Sequence, residues 1–333
     1  MINTAMWAKA LRVIPRITKK EWDTLDVISR WLIASRAAVF IMTALAAGIG
    51  GLLAYRSGNF NWILFVLSLF GLVFAHASNN LLNDLVDYNK GIDKDNYYRA
   101  MYGPQPLEHG LLSKQVFYRY IFFTLSLATL IGVYLIWQTG WSSMWFFGAG
   151  LFFLLFYTWP LKYIGLGEPS VIFVWGPLMI GGTYHVVTGG DWNSYVLMIS
   201  LVYALGPTTV LFGKHTDKLP EDKKKGVHTL PVILGEKASR YTTIGLWVAQ
   251  YILIGALVIT GLMGSAMLVV LLALPKLIWA IKIFAKPRPT EEPEGLEKNT
   301  WPLYLSAHAF VYNRRFGMLF LLGLIVEVII YTW

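Results

Sequence analysis

The chain has 333 residues, of which 56% are hydrophobic and only 14% are charged, and its formal net charge is +9. Soluble domains carry about 25% charged residues, so this composition predicts a membrane protein. The absence of cysteine excludes disulfides, zinc–thiolate centres and cysteine nucleophiles. Membrane topology and contact with anionic lipid headgroups explain the positive charge, and we predict no nucleic-acid partner.

Apolar stretches of about 20 residues, the length that crosses a bilayer as a helix, recur along the whole chain. Nine of them lie at residues 31–55, 61–82, 116–137, 143–159, 169–188, 193–213, 241–261, 263–284 and 315–332. The fourth is short, and the eighth contains Pro275 and Lys276. The pattern predicts an all-α membrane protein with nine transmembrane helices.

The placement of lysine and arginine predicts how these helices are oriented. If the N-terminus is cytoplasmic, the short outside loops hold a single basic residue, Arg56, and nearly all others lie inside or at inner helix ends. The inside segments are then residues 1–30, 83–115, 160–168, 214–240 and 285–314. We therefore predict a multi-pass protein of the cell (inner) membrane whose N-terminus and polar loops are cytoplasmic.

Residues 1–30 form a predicted cytoplasmic segment that precedes a membrane domain over 31–333. The segment lacks the apolar core and cleavage site of a signal peptide. Thr18 and Glu21 have the spacing of a capping box. Apolar residues then recur at near-helical spacing, at Trp22, Leu25 and Ile28. The pattern predicts an amphipathic helix over 18–30 that lies on the inner membrane surface.

Acidic residues concentrate where the second and sixth apolar stretches end, in residues 79–93 and 213–226. If the second helix continues past residue 82, four polar side chains of the first cluster share one face, because neighbours three and four residues apart stack on a helix. These are Asn80, Asn83, Asp84 and Asp87. Acids have little role in setting topology, so we expect this face to bind a ligand.

The second cluster contains Asp217 and Asp222, with Pro220 suited to the first turn of a new helix. Two acidic clusters that face each other repel, and hard cations between them relieve the repulsion. Carboxylate and amide oxygens suit Mg²⁺, which keeps positions open for phosphate or water. For the neighbouring lysines, Lys223 to Lys225, a solvated charge run is the better interpretation.

A third polar segment, residues 156–168, joins the fourth and fifth apolar stretches. In it, Lys162 could pair with a phosphate and Tyr157 could donate a hydrogen bond. Equally, the two could be an interfacial aromatic residue and a snorkelling lysine. Other basic residues surround the acids, as a magnesium–diphosphate group would require. They include Lys90, Lys94, Arg99 and Lys214.

With these segments in view, the chain resembles the UbiA superfamily of intramembrane prenyltransferases, and within it the branch that acts on 1,4-dihydroxy-2-naphthoate. The superfamily motif N-D-x-x-D matches Asn83, Asp84 and Asp87, and a G-x-D ending typical of the branch matches Gly91 and Asp93. The stretches "YTWPLKYIGLGE", "GPLMIGGTYHVVTG" and "RAMYGPQPLEHG" also match. The resemblance implies a nine-helix UbiA-type bundle with cytoplasmic active-site loops.

The resemblance also implies an activity, the Mg²⁺-dependent transfer of a polyprenyl group from an allylic polyprenyl diphosphate to an aromatic acceptor in quinone synthesis. The implied metal ligands are Asn83, Asp84, Asp87, Asp217 and Asp222. The implied catalytic residues are Asp84, Asp87, Lys162 and Tyr157. The implied substrate contacts are Asn80, Asp93, Arg36, Arg99, Lys214 and His215. The lipid bilayer is an expected partner, and no obligate protein partner is predicted.

The second motif departs from the naphthoate branch, which usually reads N-N-x-R-D-x-x-x-D. This chain has "FGKHTDKLPED", with Lys214 and His215 near the usual Asn and Arg, and one extra residue between Asp217 and Asp222. The departure leaves the acceptor open, and a haem, a chlorin, a sugar phosphate or a glycerol lipid is the alternative. His215 is interpreted either as a substrate contact or as a surface residue.

A transporter is the competing interpretation from another functional class. Transporters place polar groups near the membrane midplane, on broken helices in repeated halves. Here the polar groups collect at one surface, and no inverted repeat is evident. An enzyme is therefore favoured. For His185, near an outer helix end, we expect a hydrogen-bonded structural role. For Glu327, an acid inside the ninth stretch, we expect a structural partner or a contact with a lipid headgroup.

Overall fold

The computed structural model describes residues 2–94, 98, 103–296 and 300–332. Within these ranges the secondary structure is helical, apart from an isolated β-bridge between Ile164 and His228. The chain divides into two compact units. The first unit comprises Met1–Leu45 and Val66–Trp159, and the second comprises Ala46–Phe65 and Pro160–Trp333.

Helices occur at every apolar stretch that the sequence indicates. Up to residue 159 they are α1 (Thr4–Arg12), α2 (Lys19–Thr24), α3 (Val27–Ala34), α4 (Phe40–Arg56), α5 (Trp62–Asn89), α6 (Lys114–Thr139) and α7 (Ser143–Phe156). After it come α8 (Gly167–Val187), α9 (Ser194–Asp217), α10 (Leu219–Lys224), α11 (Leu230–Leu234), α12 (Glu236–Ile259), α13 (Ser265–Phe284) and α14 (Tyr304–Thr332). In the described ranges the prediction of an all-helical protein is confirmed.

Seven of the helices in the described ranges are long and apolar enough to cross a membrane. They are α4 with its preceding turn, α5, α6, α8, α9, α12 and α13. The fourth predicted stretch forms α7, a shorter apolar helix of 14 residues. The ninth lies within α14. The count of nine crossings and the cytoplasmic placement of the loops stay predictions.

Two spans depart from regular α-helical geometry. The middle of α8, Val174–Gly181, is π-helical and contains Pro177, which cannot donate a backbone hydrogen bond. The first half of α13 is a 3₁₀ helix. Glu327 of α14 accepts hydrogen bonds at the start of α13 from the backbone N–H groups of Gly264 (2.9 Å) and Ala266 (3.2 Å). Of the two interpretations of Glu327, these contacts favour the structural partner.

His185 also has the structural partner that the sequence led us to expect. Its ring Nδ1 lies 3.0 Å from the carbonyl oxygen of Asp191, in the loop that follows α8. The side chain is buried, and this contact gives its ring nitrogen a hydrogen-bond partner on the backbone of the second unit.

The N-terminal segment differs from the single amphipathic helix expected over residues 18–30. The capping box between Thr18 and Glu21 forms as predicted. The helix nevertheless ends at Thr24, Leu25 is extended, and α3 begins anew after Asp26. Trp22 is 0% exposed and packs in the core of the first unit rather than facing outward. Trp22, which was predicted to face the membrane, therefore contacts other parts of the protein instead.

Asp26 anchors α1 to the start of α3. Its carboxylate accepts hydrogen bonds from the backbone N–H of Asn3 (3.1 Å), the indole N–H of Trp7 (3.1 Å) and the backbone N–H of Ser29 (2.9 Å). Desolvation raises the pKa of Asp26, but these hydrogen bonds outweigh it and hold the pKa well below its usual range. Asp26 therefore stabilises this docking only while it is ionised.

Docking of α1 is expected to be lost at acidic pH. Because the pKa of Asp26 is lower in the folded chain, its stabilisation is complete above the ordinary carboxyl pKa of about 3.9 and disappears as the pH falls below it. The chain has no native cysteine, so a spin label at Ala8→Cys reports the mobility of α1 alone. Adding Asp26→Asn should make the label mobile already at pH 7. An unchanged spectrum in that variant would disprove the anchor.

Candidate functional site

The acidic end of α5 lies at the position that the sequence predicts. The helix continues past residue 82 to Asn89, so the predicted polar face exists. Asp84 is 4% exposed and Asp87 is 7% exposed. Just beyond the helix, Gly91 has φ of +67°, a left-handed conformation that suits glycine after a helix C-terminus. Asp93, just beyond this turn, is buried as well.

Three of the predicted residues meet at the break between α3 and α4. Arg36 adopts a left-handed conformation there, with φ of 58°. Its Nη2 donates to Asp84 Oδ1 and to the backbone oxygen of Asn80, both at 2.9 Å. The amide of Asn80 in turn donates to the backbone oxygen of Ser35 at 2.9 Å. The guanidinium offsets the cost of burying the Asp84 carboxylate.

Asn83 joins the same helix face to the end of α7. Its amide donates to the hydroxyl of Thr158 at 3.1 Å. Tyr157, the neighbouring residue, ends α7 and is half-buried. Lys90, one turn beyond the acids, places its ammonium 5.0 Å from the ring centroid of Trp159. Thr158 and Trp159 thus contact the acidic end of α5 within the first unit.

The donor set on α5 fits a magnesium ion. In the described ranges, no three His, Cys, Asp or Glu side chains form a metal-binding group. Mg²⁺ does not require one, because it is commonly held by one or two carboxylates and completes its shell with water and substrate phosphates. Asn83, Asp84 and Asp87 supply one amide and two carboxylates from a single helix face. These residues therefore suit that ion.

Two other predicted substrate contacts add little to this picture. Arg99 lies outside the described residues, so its contact with a diphosphate stays a prediction. Lys214 is half-buried in the last turn of α9, in the second unit.

In the second unit, Asp217 caps the start of α14. Its side chain is 0% exposed. Oδ1 accepts hydrogen bonds from the backbone N–H of Leu305 (3.0 Å) and from Nε of Arg288 (2.9 Å), and Oδ2 accepts one from the N–H of Ser306 (2.9 Å). Both oxygens are therefore engaged. A carboxylate here also complements the positive end of the helix dipole. The predicted metal-binding role of Asp217 stays a prediction beside this structural one.

Arg288, the partner of Asp217, was not identified from the sequence. Its Nη2 donates to the carbonyl of Pro302 at 2.8 Å, and its guanidinium lies 4.5 Å from the ring centroid of Trp301. Its backbone N–H donates to Glu236 at 2.8 Å. The residue sits in the Pro- and charge-rich run "AKPRPTEEPE", where no spacing distinguishes it from its neighbours. Only the folded chain shows that it fixes this segment to the second unit.

Asp222 lies on the short helix that the sequence predicts. Pro220 occupies the first turn of α10, as expected for a residue without an N–H. Asp222 is 4% exposed and pairs with Lys218, whose Nζ lies 3.1 Å from Oδ1. Its role as a metal ligand remains a prediction.

His215 is buried, which rules out the interpretation as a surface residue. It is 4% exposed, and its Nδ1 lies 2.6 Å from Oε1 of Glu168, which is 1% exposed. The second oxygen of Glu168 accepts a hydrogen bond from the N–H of Leu230 at 3.3 Å. Glu168 closes the stretch "YTWPLKYIGLGE", but no sequence pattern assigned it a role.

Lys162 is also mostly buried. It is 9% exposed, and its ammonium lies 5.5 Å from the ring centroid of Tyr163. A snorkelling lysine would keep its ammonium in water, so this burial argues against that interpretation.

Residues 40–297 match the sequence profile of the UbiA prenyltransferase family. The chain belongs to this family. The prediction of an enzyme is thereby confirmed.

Named relatives of this UbiA-family chain include bacterial and animal proteins. It is 24% identical over 282 residues to 1,4-dihydroxy-2-naphthoate octaprenyltransferase of Bacillus subtilis (strain 168), covering 84% of this chain and 86% of the relative. It is 26% identical over 245 residues to UbiA prenyltransferase domain-containing protein 1 of Danio rerio, covering 67% and 68%.

Two solved structures have the same fold as this UbiA-family chain. Digeranylgeranylglyceryl phosphate synthase aligns with a TM-score of 0.60 at 21% identity, over 90% of this chain and 97% of the other. A UbiA homolog from Archaeoglobus fulgidus, bound to DMAPP and Mg²⁺, aligns with a TM-score of 0.54 at 15% identity, over 87% and 98%.

Proposed function

We propose that this UbiA-family enzyme uses Mg²⁺ to transfer a polyprenyl group from an allylic polyprenyl diphosphate to a 1,4-dihydroxy-2-naphthoate-type ring. The observation that carries the proposal is the polar face of Asn83, Asp84 and Asp87, two of them buried acids, at the end of an apolar helix long enough to cross a bilayer. A polyprenyl diphosphate has the matching form, an apolar tail with a highly charged head.

The named relatives support the two parts of this proposal separately. The Bacillus subtilis relative is named for an octaprenyl transfer to 1,4-dihydroxy-2-naphthoate. The Archaeoglobus fulgidus homolog was solved with an allylic diphosphate and Mg²⁺ bound. The first supports the aromatic acceptor, and the second supports the metal and the donor.

In the proposed reaction, the bond between the allylic carbon and the diphosphate oxygen breaks, and the diphosphate leaves with both bonding electrons. A ring carbon of the acceptor then bonds to the allylic carbon, and the ring loses a proton. Bound Mg²⁺ would neutralise charge on the leaving diphosphate, and Asn83, Asp84 and Asp87 would hold it. Aromatic side chains can stabilise the allylic cation through their ring faces.

Other residues would bind the substrates directly. Lys162 and Arg99 are the proposed cations for the diphosphate, with Tyr157 as a hydrogen-bond donor. Such fixed charges near a leaving group are commonly the largest contribution to catalysis. Further ligands and contacts that the family resemblance adds remain proposals. They are Asp217 and Asp222 for the metal, and Asn80, Asp93, Arg36, Lys214 and His215 for the substrates.

Metal removal and an acceptor panel test this proposal. Purified protein in lipid nanodiscs, given Mg²⁺ and a labelled allylic polyprenyl diphosphate, should release diphosphate and prenylate a dihydroxynaphthoate acid. EDTA should abolish turnover, and excess Mg²⁺ should restore it. Turnover that survives EDTA would overturn the metal. Turnover only with a haem, chlorin, sugar phosphate or glycerol lipid would overturn the acceptor.

A further inference from the structure

A buried acid–histidine pair in the second unit joins Glu168, which has no role in the reaction described above, to His215, proposed there as a substrate contact. Glu168, in the first turn of α8, and His215, in the last turn of α9, are joined by the 2.6 Å contact between Oε1 and Nδ1. Their side chains are 1% and 5% exposed. Burying two polar groups costs free energy unless they are hydrogen-bonded to each other. The contact therefore keeps the start of α8 next to the end of α9.

Glu168 connects a third segment to this pair. Its Oε2 accepts the hydrogen bond from the N–H of Leu230, at the start of α11. Close by, Ile164 and His228 form the isolated β-bridge. The loop before α8 and the loop before α11 are therefore joined at two points, one by backbone pairing and one through the Glu168 carboxylate.

Lys162 is held by the loop that this arrangement fixes. The loop is a tight turn, closed by hydrogen bonds from the N–H groups of Ile164 (3.2 Å) and Leu166 (2.9 Å) to the carbonyl of Leu161. Gly165 has φ of +78°, a conformation that requires glycine. At Gly167 a Cβ atom would lie 3.4 Å from Cα of Lys162, so the turn packs directly against the start of α8. The position of the Lys162 backbone thus depends on where α8 begins.

We propose that Glu168 and His215 are positioning residues, which fix the turn bearing Lys162 so that its ammonium meets the diphosphate of the donor. The inference rests on the proposed function, because it needs Lys162 to bind a diphosphate. In this arrangement His215 donates its Nδ1 proton to the Glu168 carboxylate. The hydrogen bond, and not proton transfer by the imidazole, is what the site requires from the histidine. Partners that orient the ligands of a metal ion change affinity or activity by about 10- to 100-fold, and we expect an effect of the same order here.

Two histidine variants separate positioning from proton transfer. In His215→Asn the amide N–H takes the place of the Nδ1 donor but offers no second ring nitrogen, whereas His215→Ala removes both. We expect His215→Ala and Glu168→Ala each to weaken the binding of inorganic diphosphate in Mg²⁺ about tenfold, measured by calorimetry. They should raise KM for the donor by a similar factor and leave KM for the acceptor unchanged. His215→Asn should stay within about threefold of wild type, since it keeps the hydrogen bond.

Reference variants make the outcomes distinct. Lys162→Met should show the full loss of diphosphate affinity, and Lys224→Gln, an exposed lysine on α10, should behave as wild type. The double variant Glu168→Ala/His215→Ala should be no worse than either single variant, because the two residues act as a unit. Thermal unfolding of each variant identifies any that fails to fold, and His215→Asn tests the proposal in that event.

Three results would overturn parts of this account, and they differ from one another. If wild-type protein binds no diphosphate in Mg²⁺, the proposed function fails. If wild type binds it and Glu168→Ala matches Lys224→Gln, the positioning role fails. If His215→Asn loses as much as His215→Ala, the imidazole has a chemical role of its own and positioning is wrong.

Discussion

Asp84→Asn and Asp87→Asn are each expected to lower kcat/KM by about 100-fold or more, the scale of losing one fixed electrostatic contact to a reacting group. Asparagine keeps the size of the side chain but removes the negative charge that attracts a divalent cation. The two variants should also weaken Mn²⁺ binding, measured by electron paramagnetic resonance without substrate. This second measurement separates loss of the metal from loss of a later step.

Asp84→Asn is expected to lose stability as well as activity. Asp84 pairs with Arg36, and their side chains are 5% and 15% exposed. Removing one partner leaves a mostly buried charge, so Asp84→Asn should cost about 3 kcal/mol of unfolding free energy, the low end for a broken buried pair. An unfolding free energy equal to that of wild type would show that the Arg36 contact does not stabilise the fold.

An exposed aspartate provides the matched control for these variants. Asp23, on α2, pairs with Lys19 at the surface, and its side chain is 56% exposed. Exposed ion pairs contribute at most about 1 kcal/mol, so Asp23→Asn should leave turnover and Mn²⁺ binding unchanged. If Asp84→Asn and Asp87→Asn match this control in Mn²⁺ affinity, the metal assignment on α5 is wrong.

Much of the fold could be predicted because its signals are local. An apolar run long enough to cross a bilayer is helical wherever its neighbours lie, since every backbone group must be paired inside the membrane. The polar face of α5 follows from helical periodicity, and the helix does continue far enough to form it. The break at Leu25 could not be predicted in this way. It depends on Asp26, whose carboxylate accepts hydrogen bonds from the N–H groups of Asn3 and Trp7. Both donors are more than 15 residues away in sequence.

The difference between local signals and contacts over long sequence distances also explains which site contacts could not be predicted. Glu168 and His215 are separated by 47 positions, and Arg288 and Asp217 by 71. No periodicity links residues so far apart, and each of the four occurs among other polar residues. The motif around Asp217 identifies it as an acid but contains no sign that the start of α14 would occupy both of its oxygens. The type of a residue shows which ligands it could bind. Which helix or loop it holds in place becomes visible only from its contacts in the folded chain.

Asp217→Ala is expected to destabilise the second unit strongly. It leaves the Arg288 guanidinium, which is 16% exposed, without its carboxylate, and it removes the cap of two backbone N–H groups at α14. Breaking a buried pair costs about 3–5 kcal/mol, and losing a helix cap about 1 kcal/mol. Unfolding in mixed micelles should therefore show a loss of about 4 kcal/mol, and a loss below about 1 kcal/mol would disprove the structural role.

Removing the arginine as well separates the two possible roles of Asp217. In Asp217→Asn/Arg288→Met no buried charge remains, and the amide oxygen can still accept a backbone hydrogen bond. Replacing both members of a buried pair is often close to neutral, so we expect this variant to recover most of the lost stability. Its Mn²⁺ affinity then reports on the metal alone. Reduced affinity in a stable double variant would support Asp217 as a ligand, and affinity equal to wild type would show that its carboxylate serves only the cap and Arg288.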